Sequence, residues 1–353
     1  MDRSFCSGPD IIKASIIQRG RPMSDKNYKA LVVEETDGRY FRSIQSRNID
    51  NLPAGELLVR VAYSSLNYKD ALSATGHKGV TKNYPHTPGI DAAGIVEESR
   101  SPAFAPGDPV IVTGYDLGMN TAGGFGEYIR VPAAWALKPP DGLSLREAML
   151  FGTAGFTAGI SVWKLSEHIR PDDGEVLVSG ATGGVGSMSV AILAKLGYRV
   201  AALTGKAEEK AFLERLGACR IVSRQQFQEH SGRPLLPVQW AGCIDTVGGA
   251  VLENLVKTTA PLGVVTCCGN VASADLALTV YPFILRGVSL VGIDSQNYPM
   301  VQRIGLWQKL ADAWKPAALD GMYTEKTLDD LDECIDRMLA GKLKGRILVN
   351  MQQ

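Results

Sequence analysis

Three things are scarce in this 353-residue chain, and each scarcity excludes something. It has no excess charge of either sign: 37 Lys and Arg stand against 37 Asp and Glu. No net field would therefore draw it to a polyanion or an anionic membrane surface, and nucleic acid is not expected as a partner. Long apolar runs are also lacking. None approaches the roughly 18 residues needed to cross a bilayer. The first 23 residues mix charges with short apolar pieces such as "IIKASII", so neither an anchor nor an export signal is expected. Cysteine is sparse and scattered: Cys6, Cys219, Cys243, Cys267, Cys268 and Cys334 show no CxxC or zinc-finger spacing, which fits a reducing cytosol. The vicinal pair in "GVVTCCGN" lies in a strand-like run and reads as packing, with a redox element as the alternative.

What is present is an ordinary globular composition, 45% hydrophobic and 21% charged, long enough for two cores. Residues 1–23 precede the first strand-like run, "YKALVVEE", and read as an N-terminal extension expected to be disordered. From there to residue 150 the chain is mostly strands and turns, a β-rich domain. "PPDGLSLREA" then starts a helix, with Ser144 and Glu147 spaced as a capping box. Over residues 151–297 strands alternate with helices of about ten residues, which implies right-handed crossovers and a doubly wound parallel sheet of Rossmann type. The tail, 298–353, offers helices and a short strand that cannot stand alone, and is expected to return and complete the first domain. The fold class is thus α/β, a β-rich domain plus a nucleotide-binding domain.

The strand "EVLVSG" runs into "ATGGVGS" and then into an apolar helical pattern. Such a turn aims backbone N–H groups and a positive helix end at one spot, where a pyrophosphate would be held by Thr182, Gly183, Gly184 and Val185. The spacing of Gly180, Gly183 and Gly186 is GxxGxxG rather than GxGxxG, so the strand-to-helix context carries the reading; a glycine turn without ligand is the alternative. The next strand ends in Thr204-Gly205-Lys206, with no carboxylate at its tip for a ribose 2'-hydroxyl. Lys206, and Arg224 after the following strand, suit a 2'-phosphate, which favours NADPH. Otherwise Lys206 starts a solvated helix and Glu208 or Glu209 reaches the ribose.

Several stretches together resemble the medium-chain dehydrogenase/reductase superfamily, and within it the zinc-free acryloyl-CoA reductases and quinone oxidoreductases of the YhdH/YhfP group. They are "SSLNYKDAL" (64–72), "PHTPGIDAAGIV" (85–96), "GTAGFTA" (152–158), "SGATGGVGS" (179–187), "AGCIDTVGG" (241–249), "YPFILRGVSLVGIDS" (281–295) and "KGRILV" (344–349). The resemblance runs from Tyr28 to the C-terminus. It implies a GroES-like catalytic domain over 24–150, completed by 298–353, and no metal: zinc-dependent members carry a Cys where this chain has "NYKD" and a His-Glu pair where it has Ile90-Asp91, and His77 and His86 do not replace that set.

The resemblance further implies reduction of a 2-enoyl thioester, acryloyl-CoA to propanoyl-CoA, by hydride transfer to the β-carbon, with donors aimed at the enolate oxygen. Tyr68 would lie beside the nicotinamide, with Asn67 and Asp91 shaping the catalytic cleft. Asp91, between apolar residues, is expected to be desolvated with a raised pKa, unless it caps a turn; Tyr68 is either a donor or a packed amphipathic residue. Thr153 would face the carboxamide, Asn270 and Ile284 would flank the nicotinamide half, and Ser295 would hydrogen-bond at its far side. Phe283 and Ile284 could equally be the apolar wall of a strand edge. Lys69, Lys78, Lys82, Arg286 and Arg346 are candidate cations for the CoA phosphates, and Arg346 could instead cap the last strand. A quinone acceptor and a non-catalytic NADPH sensor are the competing readings. By analogy with the superfamily, a homodimer through "VSLVGIDS" is expected.

Overall fold

The computed structural model describes residues 27–227, 232–317 and 319–352, and the N-terminal extension lies outside them. Two strands, β1 (Asn27–Thr36) and β2 (Arg39–Asn48), form an antiparallel hairpin. Next come β3 (Leu57–Leu66), α1 (Tyr68–Ser73), β4 (Asp91–Ser99), β5 (Pro109–Thr113), β6 (Tyr128–Val131) and β7 (Ala136–Leu137). Their inward residues, among them Leu57, Val59, Val110 and Ile129, are fully buried in one core.

The long helix α2 (Leu145–Ser166) opens as the sequence predicts. The Ser144 side chain accepts from the Glu147 N–H, and Glu147 Oε2 accepts from the Ser144 N–H at 3.0 Å. This helix is buried on most of its faces, so it acts as the keel between the two lobes.

The alternating region supplies β8 (Glu175–Val178), α3 (Gly184–Lys195), β9 (Arg199–Thr204), α4 (Lys210–Arg215), β10 (Ala218–Ser223), α5 (Arg224–Phe227), β11 (Gly242–Asp245), α6 (Gly249–Thr258), β12 (Val264–Cys267), α7 (Tyr281–Arg286) and β13 (Ser289–Gly292). Its six strands pair in parallel in the order β10-β9-β8-β11-β12-β13. The order reverses beside β8, and a crevice opens outside the strand C-termini there, where open α/β sheets bind ligands. The run "YPFILR" is the helix α7 rather than a strand edge: Pro282 fits a first turn, and Gly287, at φ 61°, ends it in the left-handed conformation.

The tail divides. Its helix α8 (Met300–Ala311) packs on α2, where the Trp307 ring stacks on Phe156 at 5.7 Å and meets Phe151 edge-on at 6.4 Å. It therefore seals the junction instead of completing the first domain. After it, β14 (Tyr323–Lys326), α9 (Leu331–Leu339) and β15 (Arg346–Asn350) do join that domain. The resulting sheet runs β14-β15-β3-β4-β5-β7, with β6 also paired to β3. Strand β15 lies antiparallel to β3 and brings Arg346 to the end of β3, close to Asn67.

Candidate active site

One cavity of about 750 Å³ lies between the lobes, lined by α1, α2, the β8–α3 turn and the loops after β5, β12, β13 and α9. At its centre is the glycine turn. Gly183, Gly184 and Val185 line the cavity together with Thr182, and α3 begins with no side chain capping its first turn. The Gly183 N–H is taken by the Gly180 carbonyl at 2.9 Å, and those of the first turn of α3 behind it are available to a pyrophosphate. A side chain on Gly186 would run into the Gly180 carbonyl, so the close helix-to-strand approach requires glycine there. The uncapped turn fits a dinucleotide.

At one end of the cavity stand Lys206 and Arg224. Thr204 and Gly205, expected as ligands, stand behind them. The Thr204 hydroxyl is buried and accepts from the Lys206 N–H at 3.0 Å, and Gly205 is overlaid by the Arg224 guanidinium. The two carboxylates that could have served a ribose hydroxyl do not line the cavity, and Glu209 is paired with Lys344 at 2.7 Å. Lys206 Nζ itself donates across the lobes to the Leu343 carbonyl, and burial moves this amine down from its ordinary pKa.

At the other end a buried polar cluster is assembled from four elements. Asp91, at the start of β4, is fully buried. Its Oδ2 accepts from Ser65 Oγ at 2.6 Å, Asn67 Nδ2 at 2.8 Å and the Thr153 N–H at 2.8 Å, and its Oδ1 accepts from Thr153 Oγ1 at 2.6 Å. Arg346 Nη2 lies 3.9 Å away and donates to Ser65 Oγ at 2.7 Å, while its other nitrogens donate to the Leu150 and Leu66 carbonyls and Asn67 Oδ1. Asp91 is thus neither a turn cap nor a bare desolvated acid: every donor around it matches a carboxylate. Arg346 is buried in this cluster with its donors committed to β3, the cap of α1 and α2, so it neither caps β15 nor stands at the mouth as a cation for CoA.

Gly152 makes the cluster feasible. It breaks the α2 geometry at φ 51°, ψ −158°, which turns the Thr153 N–H toward Asp91. A Cβ at this position would lie 2.5 Å from Asp91 Oδ2 and 2.8 Å from Arg346 Nη2. Only glycine fits.

The carboxyl that burial moves most is Asp70, which no motif in the sequence marks as a site residue. Asp70 is enclosed on α1, and burial, with Asp91 as a negative neighbour, pushes it up to about 7. Its Oδ1 accepts from the Ile90 N–H at 2.8 Å and Oδ2 from the Asn67 N–H at 2.8 Å, so it ties the cap of α1 to the loop leading into β4. The spacing Asn67-x-x-Asp70 is a capping signal in the sequence.

Tyr68 begins α1, lines the cavity and is 37% exposed; among the described residues its hydroxyl has no hydrogen-bond partner. Next to it, Lys69 Nζ donates to Gln296 Oε1 at 2.6 Å across the lobes. Asn270 and Ser295 also line the cavity, and the Ser295 and Thr157 hydroxyls are 2.8 Å apart. Ile284 does not: it is 68% exposed on the helix α7, which turns it outside the cavity, so neither the nicotinamide contact nor a strand-edge wall is seen. Phe283 packs under the sheet. Of the other proposed cations, Lys78 is paired with Glu35 at 2.8 Å, and Arg286 donates to the Lys257 and Leu236 carbonyls as a staple within the nucleotide lobe.

Among the described residues no three His, Cys, Asp or Glu side chains stand together as a metal site. The donors around Asp91 are hydroxyl, amide and guanidinium groups, which do not fit zinc. Cys268 lines the cavity, but burial pushes its thiol up to about 12 and Sγ donates to the Asp245 carbonyl at 3.3 Å. Cys267 sits in the β12 ladder. No helix of the described chain is long and apolar enough to cross a membrane.

Residues 53–141 match the alcohol dehydrogenase GroES-like domain and 184–312 the zinc-binding dehydrogenase domain. Over 327 residues the chain is 42% identical to acrylyl-CoA reductase AcuI of Ruegeria pomeroyi, covering 92% of this chain and 99% of that one. The YhdH oxidoreductase of Salmonella enterica, solved in complex with NADP, superposes with a TM-score of 0.89 at 44% identity, over 92% of this chain and all of that one. Bacillus subtilis YhfP, which carries the name quinone oxidoreductase, was solved with NAD bound; it superposes with a TM-score of 0.90 at 40% identity, over 93% and 100% of the two chains.

Proposed function

The chain belongs to the medium-chain dehydrogenase/reductase superfamily, in the group of the acrylyl-CoA reductases, and from that premise we propose that it is an NADPH-dependent reductase of the C=C bond of a short 2-enoyl-CoA. Acryloyl-CoA going to propanoyl-CoA is the reading best supported. The nicotinamide supplies a hydride to the β-carbon. A proton then reaches the α-carbon, so that the π bond of the C=C gives way to two new C–H bonds while one C–H bond of the nicotinamide is broken and NADPH becomes NADP⁺.

The observation that carries this reading is the division of labour at the inner end of the cavity. Asp91 is saturated with donors and has no acceptor capacity directed at a substrate; its role is to orient Thr153 and Asn67. Thr153 Oγ1 has its proton on Asp91, which leaves its lone pairs for the carboxamide N–H₂. Tyr68 keeps an uncommitted hydroxyl beside them, suited to donate toward the enolate oxygen or to relay the proton. NADPH over NADH is supported by Lys206 and Arg224 lining the outer end while Glu209 is held by Lys344.

A quinone acceptor is the second reading, supported by the name YhfP carries and by the prior engagement of Lys78 and Arg286. The outer edge of β13, which no strand covers among the described residues, and the exposed Tyr281, Ile284 and Leu285 on α7 support a homodimer formed there. Following NADPH absorbance with acryloyl-CoA, crotonyl-CoA and benzoquinone, each repeated with NADH, tests the proposal. Rapid oxidation of NADPH with the enoyl thioesters is expected; turnover with quinone alone would replace the acceptor, and tight binding without oxidation would leave a sensor.

A further inference from the structure

Tyr115 follows β5 and lines the cavity with its backbone in the left-handed region, at φ 53°. A bulky residue rarely adopts that conformation, and where it persists the surroundings over-determine it. They do so here. The Tyr115 N–H donates to the Gln296 carbonyl at 3.0 Å. Its ring lies parallel to Trp135 at 5.5 Å, with only 3° between the planes, and the Arg303 guanidinium sits over it at 4.7 Å.

Arg303 is itself an unusual group. It is 1% exposed, and among the described residues no carboxylate stands within ion-pair distance of it. Its nitrogens donate instead to Thr113 O and Oγ1, both at 2.9 Å, to Ser295 O at 3.0 Å and to Gln296 O at 3.2 Å, and Phe156 covers it at 4.8 Å. A buried cation whose contacts are neutral acceptors and rings, with Asp91 and Asp294 acting on it only from beyond ion-pair distance, is costly and is retained here as a rivet between the end of β5 and the 294–298 segment. Tyr115 is the side chain this rivet immobilises.

Its place in the cavity is fixed by its neighbours. Thr113 pairs with Asp91 across β5 and β4, and Gln296 holds Lys69 beside Tyr68, so Tyr115 stands at the reacting end, opposite to Lys206 and Arg224. We propose that the ring of Tyr115 is the rigid end wall of the acyl slot and sets the acyl length the enzyme accepts, admitting an unsubstituted β-carbon and penalising β-alkyl substituents. This rests on the enoyl-CoA reading above.

The test is the ratio of kcat/KM for crotonyl-CoA and hex-2-enoyl-CoA to that for acryloyl-CoA, with NADPH affinity measured by fluorescence. Tyr115→Gly is the first variant, because glycine accepts the positive φ while removing the ring; Tyr115→Asn, which tolerates the same backbone, is the second. In both, the ratio should rise by about tenfold per methylene accommodated, with NADPH affinity unchanged. Tyr115→Phe should keep the wild-type ratio, since the ring and not the hydroxyl is the wall. An unchanged ratio in a variant that still reduces acryloyl-CoA overturns the inference, as does loss of all turnover with NADPH binding intact in both variants. A wild-type protein that reduces no enoyl-CoA overturns the underlying function, a result separable from either of those.

Discussion

The two ends of the cavity are built on opposite principles. At the inner end Asp91, Ser65, Asn67 and Arg346 are buried, and each donates to or accepts from another within one network. At the outer end Lys206, Arg224, Lys344 and Glu209 meet across the lobes at partly or fully exposed positions. A buried network is strong because water cannot replace a lost partner, and for the same reason it is intolerant of change. A surface constellation discriminates a ligand charge but contributes little to the fold. On the proposed function, chemistry and stability would therefore share residues at one end, with cofactor recognition separable from both at the other.

Four perturbations test that contrast. Asp91→Ala should have the largest effect, because it strands Arg346 as a buried charge without its counter-ion; a loss of about 3–5 kcal/mol in urea unfolding is expected. A loss typical of a surface pair would mean the cluster is wet. Tyr68→Phe should next lower kcat by roughly a hundredfold through loss of a donor in the transition state, while NADPH affinity and the unfolding midpoint stay put. Equal losses in rate and in affinity would argue for a packing role.

The double variant Lys206→Ala and Arg224→Ala should weaken NADPH by roughly tenfold or more, with NADH binding and stability nearly unaltered. An unchanged NADPH-to-NADH ratio would place the 2'-phosphate elsewhere. The fourth perturbation concerns pH. Asp70 has a folded pKa, about 7, above its unfolded value near 3.8, so the folded state keeps a proton that the unfolded chain has released. Its contribution to stability is present below pH 4 and is lost as pH rises through 7. Asp70→Asn should flatten that descending limb relative to wild type in urea titrations between pH 4 and 8. Parallel profiles for the two proteins would remove Asp70 as the titrating group.

Local signals were legible where neighbours in sequence are neighbours in space. Ser144 and Glu147 cap α2, and "EVLVSGATGGVGS" folds as strand, turn and helix, because capping and crossover geometry are settled within a few residues. At "YPFILR" six residues are too few to separate strand from helix by periodicity, and the resemblance that put Ile284 beside the nicotinamide could not show that α7 turns its side chain outward. Arg346 was visible in "KGR" but not interpretable, since its partners Ser65, Leu66 and Asn67 lie some 280 positions earlier. Tyr115 and Arg303 carried no signal at all; a positive φ and a guanidinium between two rings exist only after the lobes have packed.

The sequence by itself determined the α/β class, the glycine turn that runs straight into a helix, and the cation just past the tip of β9. Each rests on periodicity, on backbone freedom or on residue chemistry within one short segment. Only the tertiary structure decided that Asp91 is ringed by hydroxyl, amide and backbone donors, that Arg346 is its buried companion, that Gly152 must bend α2 to admit both, and that Tyr115 is held between Trp135 and Arg303. Those outcomes depend on which donors long-range strand pairing brings within 3 Å of a dehydrated oxygen, and no local pattern encodes that distance.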